Sequence, residues 1–578
     1  MDWKKHWERW KHCGWLGEDL QKQLENIQND EQTLEDCFYK YMDFGTGGMR
    51  GELGPGTNRM NTFTIRRAAE GLARYIEEHG NNAKTRGVVI AFDSRHRSRE
   101  FALETALTLG AHHIQTYIFR DLRPTPELSY AVRHLNTFAG VMITASHNPP
   151  EYNGFKLYGS DGGQFPPEPA KEIMKKVNEV EDELAIKTAN ENDMQASRLL
   201  QVIGEDMDTA YNDELQTISI HPELIQEKGD RVSIVFTPLH GTANIPVTRV
   251  LETSGFTNVH VVKEQALPDP EFSTVKSPNP EDKAAFELAI EEGVERDADV
   301  LIATDPDADR VGLAVKGKDN HYQLLSGNQT GALMLEYLLS QRSKKGTLSK
   351  NGVMLKTIVT SEIGRAIAEN YGVTTIDTLT GFKFIGEKMK QFEKENTYDF
   401  QFGYEESYGY LIGDFVRDKD AVQASLLAAE MTLWYKEQGK TLYDGLIDIY
   451  EKYGFYLEDL DSLTLKGKIG EEKIEGLLKD FRQHPPLSIG SKDITVIEDY
   501  QTSERWYVRE DRKESIHLPT SNVLKYKRED GAWFCIRPSG TEPKVKFYFG
   551  VNKANLEQAE ETLLQLKMDI MTQVHQYV

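Results

Sequence analysis

DPDADR (305–310), TASHNPPEYNGFK (144–156) and RPSGTEPK (537–544) hold the residue types whose spacing can do chemistry. Asp305, Asp307 and Asp309 lie at i, i+2 and i+4. Carboxylates so spaced in a tight turn can converge on one hard cation such as Mg²⁺. The stretch lacks the Gly and Glu of an EF-hand loop. It could be a solvated acidic turn, but it follows the apolar run ADVLIAT, where unpaired charge is costly. Arg310 then has an aspartate or a metal-bound anion as its partner. Ser146 is a candidate nucleophile or an ordinary helix cap, and no G-x-S-x-G elbow surrounds it. His147 is a candidate base, although chain neighbours seldom face one another in an extended segment. Lys156 ends the stretch.

Further polar loops add to this set. Arg537, Ser539 and Thr541, with the N–H groups around Gly540, read as a nest for a phosphate dianion, or else as a simple Pro-Ser-Gly turn. In GYEESYGY (403–410), Glu405 and Ser407 offer acceptors for sugar hydroxyls. Arg50 sits in the Gly-rich stretch 44–60, which could equally be a plain hairpin. In TLTGFKFIG (378–386), Lys383 falls at an expected helix start, where a cation opposes the dipole and calls for an anion nearby. A nucleophile, a cation site, a phosphate nest and a hydroxyl-binding loop together fit phosphoryl transfer to a polyol. No Walker A or kinase Gly-rich loop is present, so the phosphoryl group comes from the substrate or from the protein itself.

These loops need a scaffold. Buried strands are expected at 87–93, 115–119, 138–144, 231–236, 258–262, 298–304, 352–360, 374–377 and 399–404, alternating with helices. Apolar strands interleaved with helices indicate layered α/β sheets, whose ligands bind beyond the carboxyl ends of the strands. The last part instead reads as antiparallel strands with a closing helix at 553–576. Charged helices from Ala421 to about 485 are expected to link to it. Trp3, Trp7 and Trp10 share one helical face, expected to pack on the body rather than to bind a partner.

Composition sets bounds. The 578 residues exceed one core, and 39% apolar with 28% charged residues is ordinary for a globular chain. A net charge of −24 excludes nucleic-acid binding by bulk electrostatics. Three scattered cysteines argue for a reducing compartment. The N-terminus lacks an apolar core of a signal peptide, and no run approaches the ~20 apolar residues that span a bilayer. A cytoplasmic protein is expected.

TASHNP with NGFK, DPDADR, the EES loop and RPSGTEPK, in that order, resemble the α-D-phosphohexomutase superfamily from about residue 40 onward. The EES loop resembles the phosphoglucomutases more than the phosphoglucosamine mutases, whose loop usually reads EQSGH. The resemblance implies a heart-shaped α/β enzyme of four domains, three similar mixed-sheet α/β domains and a C-terminal α+β domain. Boundaries are placed at 41–205, 206–318, 319–450 and 451–578 after a helical extension, 1–40.

The resemblance also implies roles. Ser146 would carry the phosphoryl group, with Asp305, Asp307 and Asp309 holding one Mg²⁺ per chain together with an oxygen of that phosphoserine. Lys156 and Arg50 would serve acid/base and charge-stabilising roles, with His147 beside them. Arg310, Thr380, Gly381, Lys383, Glu405 and Ser407 would contact the sugar phosphate. Arg537, Ser539, Gly540 and Thr541 would clamp its non-reacting phosphate. Phe382 stands where many members have His, which leaves the second acid/base group open. The implied reaction interconverts α-D-glucose 1-phosphate and glucose 6-phosphate through glucose 1,6-bisphosphate, in a monomer or weak homodimer. The alternatives are mannose or pentose phosphates, or a non-catalytic sugar-phosphate sensor. One clamp serving both orientations calls for a mobile final domain.

Overall fold

Strands that are apolar on both faces must be covered on both sides by helices. The computed structural model, which describes residues 2–42, 44, 45, 48–465, 467–539 and 544–577, shows this in its first sheet. Val88–Phe92 and Ala139–Ile143, both fully buried, pair in parallel at its centre. Thr116–Phe119 and Leu200–Ile203 extend the sheet in parallel on one side. On the other side Tyr152–Gly159 and Gly48–Glu52 run antiparallel. The helix Thr62–Glu78 covers the sheet, and Leu72 and Ile76 enter one core with Val88, Ile90, Val141 and Phe155. Its start is fixed by a capping box, in which Asn61 accepts from the Phe63 and Thr64 N–H groups and Thr64 Oγ1 accepts from Asn61 N–H. Such a cap contributes about 1 kcal/mol.

The two antiparallel strands were legible only as loops, because their glycines and polar residues hide the alternation. Gly48 faces Lys156, and Arg50 faces Gly154. A Cβ at Gly48, where φ is +139°, would lie 2.3 Å from the Phe155 carbonyl oxygen, so only glycine permits this approach.

The second sheet orders Tyr322–Leu324, Val311–Lys316, Val300–Thr304, Ile234–Thr237 and Val259–Val261. Its two parallel pairs join Val300–Thr304 to Ile234–Thr237 and the latter to Val259–Val261. DPDADR turns the chain from Val300–Thr304 into the antiparallel Val311–Lys316. Asp399–Glu405 and Gly409–Leu411 form a further antiparallel pair, with the EES turn between them.

The expected charged linker is not there. Ala421–Lys436 is a helix buried almost throughout, packed on Asn244–Ser254 and Gly409–Leu411. Its apolar residues outnumber its charges on every face, so it has no solvent side. The N-terminal segment forms three helices, Trp3–Lys11, Glu18–Ile27 and Glu31–Phe38. Trp10 is fully buried edge-on to Phe38 and Phe63, and its Nε1 donates to Glu183 at 2.8 Å. The tryptophan face is core, as expected.

All of this belongs to one compact unit, Met1–Gly327 with Phe382–Leu442; a second comprises Asn328–Gly381 and Tyr443–Val578. In the second unit, Gly352–Thr357 and Thr374–Thr378 pair in parallel. An antiparallel sheet follows the order Phe455–Thr464, Lys544–Lys553, Trp533–Pro538, Leu524–Arg528, Lys492–Asp499, Glu504–Tyr507 and Arg512–Ser515. The strand Phe455–Thr464 lies inside the expected linker and pairs along its whole length with Lys544–Lys553. Leu566, Ile570 and Val574 of the closing helix Leu556–His575 pack on Phe534, Ile536 and Phe547. No helix among the described residues is long and apolar enough to cross a membrane.

Candidate active site

The acidic turn is held from several directions, all within the first unit. Thr242 donates its N–H and Oγ1 to the Pro306 carbonyl, at 2.8 and 2.9 Å. Thr125 N–H donates to the Asp307 carbonyl at 2.9 Å, and Ala421 N–H to that of Ala308 at 3.1 Å. The carbonyl of Tyr408, just after the EES turn, accepts from Val311 N–H at 3.0 Å. Within the turn, Asp305 Oδ1 accepts from the N–H groups of Asp309 and Arg310. One oxygen from each of Asp305, Asp307 and Asp309 lies within 4.8 Å of the others. Asp307 Oδ1 and Asp309 Oδ1 are buried without a hydrogen-bond partner. Buried carboxylate oxygens lacking donors are costly. A hard divalent cation satisfies them, so the donor set fits Mg²⁺.

Ser146 meets this turn. It is 2% exposed, and its Oγ donates to Asp305 Oδ2 at 2.6 Å. Its φ of 52° is left-handed, a conformation that costs a non-glycine residue about 1 kcal/mol and here aims the hydroxyl at the aspartates. His147 Nδ1 lies 3.2 Å from the same Oγ. The turn geometry thus brings together neighbours that an extended chain would separate. Burial, then the Arg310 and Arg50 charges, push the His147 imidazole well below its usual pKa. Arg50 is exposed and donates to Asn148 Oδ1 at 2.9 Å, which places it on the serine loop.

Two lysines share Asp309. Lys156 Nζ lies 2.6 Å from Asp307 Oδ2 and 3.4 Å from Asp309 Oδ2, and Lys419 Nζ lies 3.1 Å from the latter. Burial lowers the Lys156 ammonium, but Asp307 and Asp309 outweigh it and raise its pKa. Lys419 is raised for the same reason by Asp309 and Asp418, against its burial. Burial would raise Asp309, yet Lys419, Lys156 and Arg310 hold it well below the carboxylate range. Asp305 is pushed well above that range by burial and then by Asp307 and Asp309. Arg310 pairs with Glu281, as well as standing 3.8 Å from Asp309 Oδ1.

Of the remaining residues, Lys383, Glu405 and Ser407 belong to the same unit as Ser146. Lys383 opens the helix Phe382–Glu395, and burial lowers its pKa to about 8. Glu405 is buried and ends its strand. Thr380, Gly381, Arg537 and Ser539 fall in the second unit. Thr380 Oγ1 is buried without a hydrogen-bond partner, and Gly381 takes a φ of +117°. Arg537 NH1 lies 3.3 Å from the Tyr548 hydroxyl, and Ser539 N–H donates to the Lys544 carbonyl. Gly540 and Thr541 lie outside the described residues.

Sequence reading missed several groups. Arg95 is 3% exposed and its guanidinium donates to the carbonyls of Ser146, Asn148, Pro149 and Tyr152. It also pairs with buried Asp93 at 3.3 Å. The signal was available, since Asp93 ends an apolar strand just as Asp305 does. Lys419 stands in RDKD, four charges ahead of an apolar helix, and belongs to none of the motif loops. Arg95→Met leaves Asp93 unpaired and four carbonyls without their donor. Chemical denaturation is expected to show a loss of about 3–5 kcal/mol. A loss below about 1 kcal/mol contradicts this bracing role.

The chain matches the four domains described as phosphoglucomutase/phosphomannomutase: alpha/beta/alpha domains I, II and III over residues 41–184, 209–318 and 326–453, and the C-terminal domain over 490–565. It is 40% identical over 547 residues to a phosphoglucomutase of Staphylococcus aureus, spanning 94% of this chain and 96% of that one. A phosphoglucomutase of Staphylococcus haemolyticus is 36% identical over 97% of this chain and 98% of its own length. Among solved structures, the open form of the phosphoprotein parafusin, a phosphoglucomutase of Paramecium, superposes with a TM-score of 0.69 at 16% identity. The match covers 93% of this chain and 96% of that one.

Proposed function

Because the chain belongs to the phosphoglucomutase/phosphomannomutase family, we propose that it interconverts α-D-glucose 1-phosphate and glucose 6-phosphate through a phosphorylated Ser146. The observation that carries this reading is the 2.6 Å contact between Ser146 Oγ and Asp305 in a turn whose other two aspartates each keep a buried, unpartnered oxygen. A serine serving as a helix cap has no use for three convergent carboxylates.

In this mechanism phosphoserine 146 gives its phosphoryl group to a hydroxyl oxygen of the sugar monophosphate. The P–O bond to Ser146 Oγ breaks, a P–O bond to the sugar forms, and the hydroxyl proton leaves to a basic group. The resulting glucose 1,6-bisphosphate turns over, and Ser146 takes back the other phosphoryl group. Asp305, Asp307, Asp309 and the serine side chain would hold Mg²⁺, which when bound would supply charge neutralisation at the transferred group. Lys156 and Lys419 converge on Asp309 and are the two cations suited to hold charge or move a proton there. Phe382 supports Lys419 in that role, since its ring lies 5.7 Å from Lys419 Nζ and offers a face to that cation. Arg537 and Ser539, with Gly540 and Thr541, bind the phosphate that does not react. Glu405 and Ser407 read sugar hydroxyls.

Lys383 serves as an anion-binding group. Its depressed pKa means that charging it costs stability below about pH 8, and a bound phosphate offsets that cost. Lys383→Met is therefore expected to stabilise the free protein at pH 7 by about 2 kcal/mol. The same change should lower kcat/KM about tenfold or more. Unchanged kcat/KM would remove Lys383 from the site.

The substrate is tested by comparing kcat/KM on the 1-phosphates of glucose, mannose and ribose. A preference for glucose is expected, and a preference for ribose or mannose overturns the assignment.

A further inference from the structure

We propose that Thr125 is a positioning residue that decides which oxygen of Asp307 is presented to the cation. This rests on the reading of the three aspartates as a cation site.

Thr125 is fully buried and opens the helix Thr125–His134. The first N–H of a helix has no partner within it. Here that N–H donates to the Asp307 carbonyl at 2.9 Å, while Thr125 Oγ1 donates to Asp307 Oδ2 at 3.0 Å. Thr125 therefore grips Asp307 at both backbone and side chain. Lys156 Nζ adds a second donor to the same Oδ2, at 2.6 Å. The other oxygen, Oδ1, is buried and has no hydrogen-bond partner. One oxygen thus takes two donors and the other takes none, which leaves Oδ1 as the ligand atom.

The two donors are not equivalent. Lys156 ends a flexible four-carbon stem and also reaches Asp309 at 3.4 Å, so its ammonium can follow the carboxylate if it rotates. Thr125 is β-branched, and its backbone is fixed at the start of a buried helix, so its hydroxyl cannot follow. Among the two, only the threonine sets the rotation of the carboxylate. Donors in this position, one bond removed from a metal, typically change its affinity by about 10–100-fold.

The test uses the full-length protein, stripped of metal by chelation and titrated with Mn²⁺ while free Mn²⁺ is followed by electron paramagnetic resonance. Thr125→Val replaces the hydroxyl with a methyl of similar size, and Thr125→Ala removes it without adding a group. Both are expected to bind Mn²⁺ about 10–100-fold more weakly than the parent. Thr125→Ser restores the hydroxyl and is expected to bind within about threefold of the parent. The metal-free melting temperatures show whether each variant is folded, and the alanine variant carries the test if the valine variant is not. Parent-like affinity in the folded valine or alanine variant overturns the role of Thr125, as does a serine variant as weak as alanine. A parent protein that does not bind Mn²⁺ overturns the cation site and this proposal together.

Discussion

Ser146→Ala is expected to lower kcat by about 10⁴–10⁶-fold, the scale on which loss of a covalent nucleophile falls. The protein should stay folded. The substitution removes one oxygen from a residue already held by other groups: Thr144 Oγ1 accepts its N–H at 2.8 Å, and Arg95 donates to its carbonyl. The left-handed backbone costs alanine about what it costs serine. Asp305 Oδ2 loses a donor, a change of about 1 kcal/mol. Sugar-phosphate affinity should survive, because the proposed phosphate and hydroxyl contacts lie on other loops. A variant that keeps more than about a hundredth of the parent kcat would mean that the phosphoryl group is not carried by Ser146.

Asp307→Asn is expected to have the second largest effect, about a 10³-fold loss of kcat, accompanied by loss of metal activation. Asn keeps the shape and removes the charge. Lys156 then loses its nearer counter-ion, at 2.6 Å, while remaining buried. Its pKa, raised by Asp307 against the effect of burial, should fall. The pH dependence follows from the sign of that shift. The folded-state pKa lies above the ordinary lysine value, so the stabilisation from pairing is complete below that value and is lost only as pH rises through the folded one. In the variant this loss should begin at lower pH. Thermal melts from pH 7 to 11 check it, and superimposable curves for variant and parent would contradict the pairing. Metal dependence identical to the parent's would remove Asp307 from the cation site.

The motif residues were legible because each follows an apolar run that fixes where the strand ends. DPDADR follows ADVLIAT, and TASH follows FAGVMI, so the order of residues alone reveals the chemistry at both positions. What could not be read is the set of groups that hold these loops from a distance. Arg95 and Ser146 are separated by 51 residues, and Thr125 and Asp307 by 182. Such pairs have no local signature, since a lone Arg after a strand or a Thr-Pro helix start serves many purposes. The linker failed for another reason. Charge in 437–452 and in 466–482 hid an almost wholly buried helix before it and a ten-residue strand within it, Phe455–Thr464. From Asp459 onward that strand alternates half-buried residues with exposed Leu460, Ser462 and Thr464, and no residue of it is fully buried, so it reads as solvent-facing until its partner Lys544–Lys553 is known.

The resemblance read from four motifs agrees with family matches along the chain, and it assigned three aspartates that the fold brings within 4.8 Å. Its central claim is that Ser146 carries phosphate during turnover. Intact mass of the protein after incubation with glucose 1,6-bisphosphate and Mg²⁺ tests it most directly, with Ser146→Ala treated in parallel. A gain of one phosphoryl group in the parent and none in the variant is the expected result. The same gain in both proteins, or no gain in either, would contradict it.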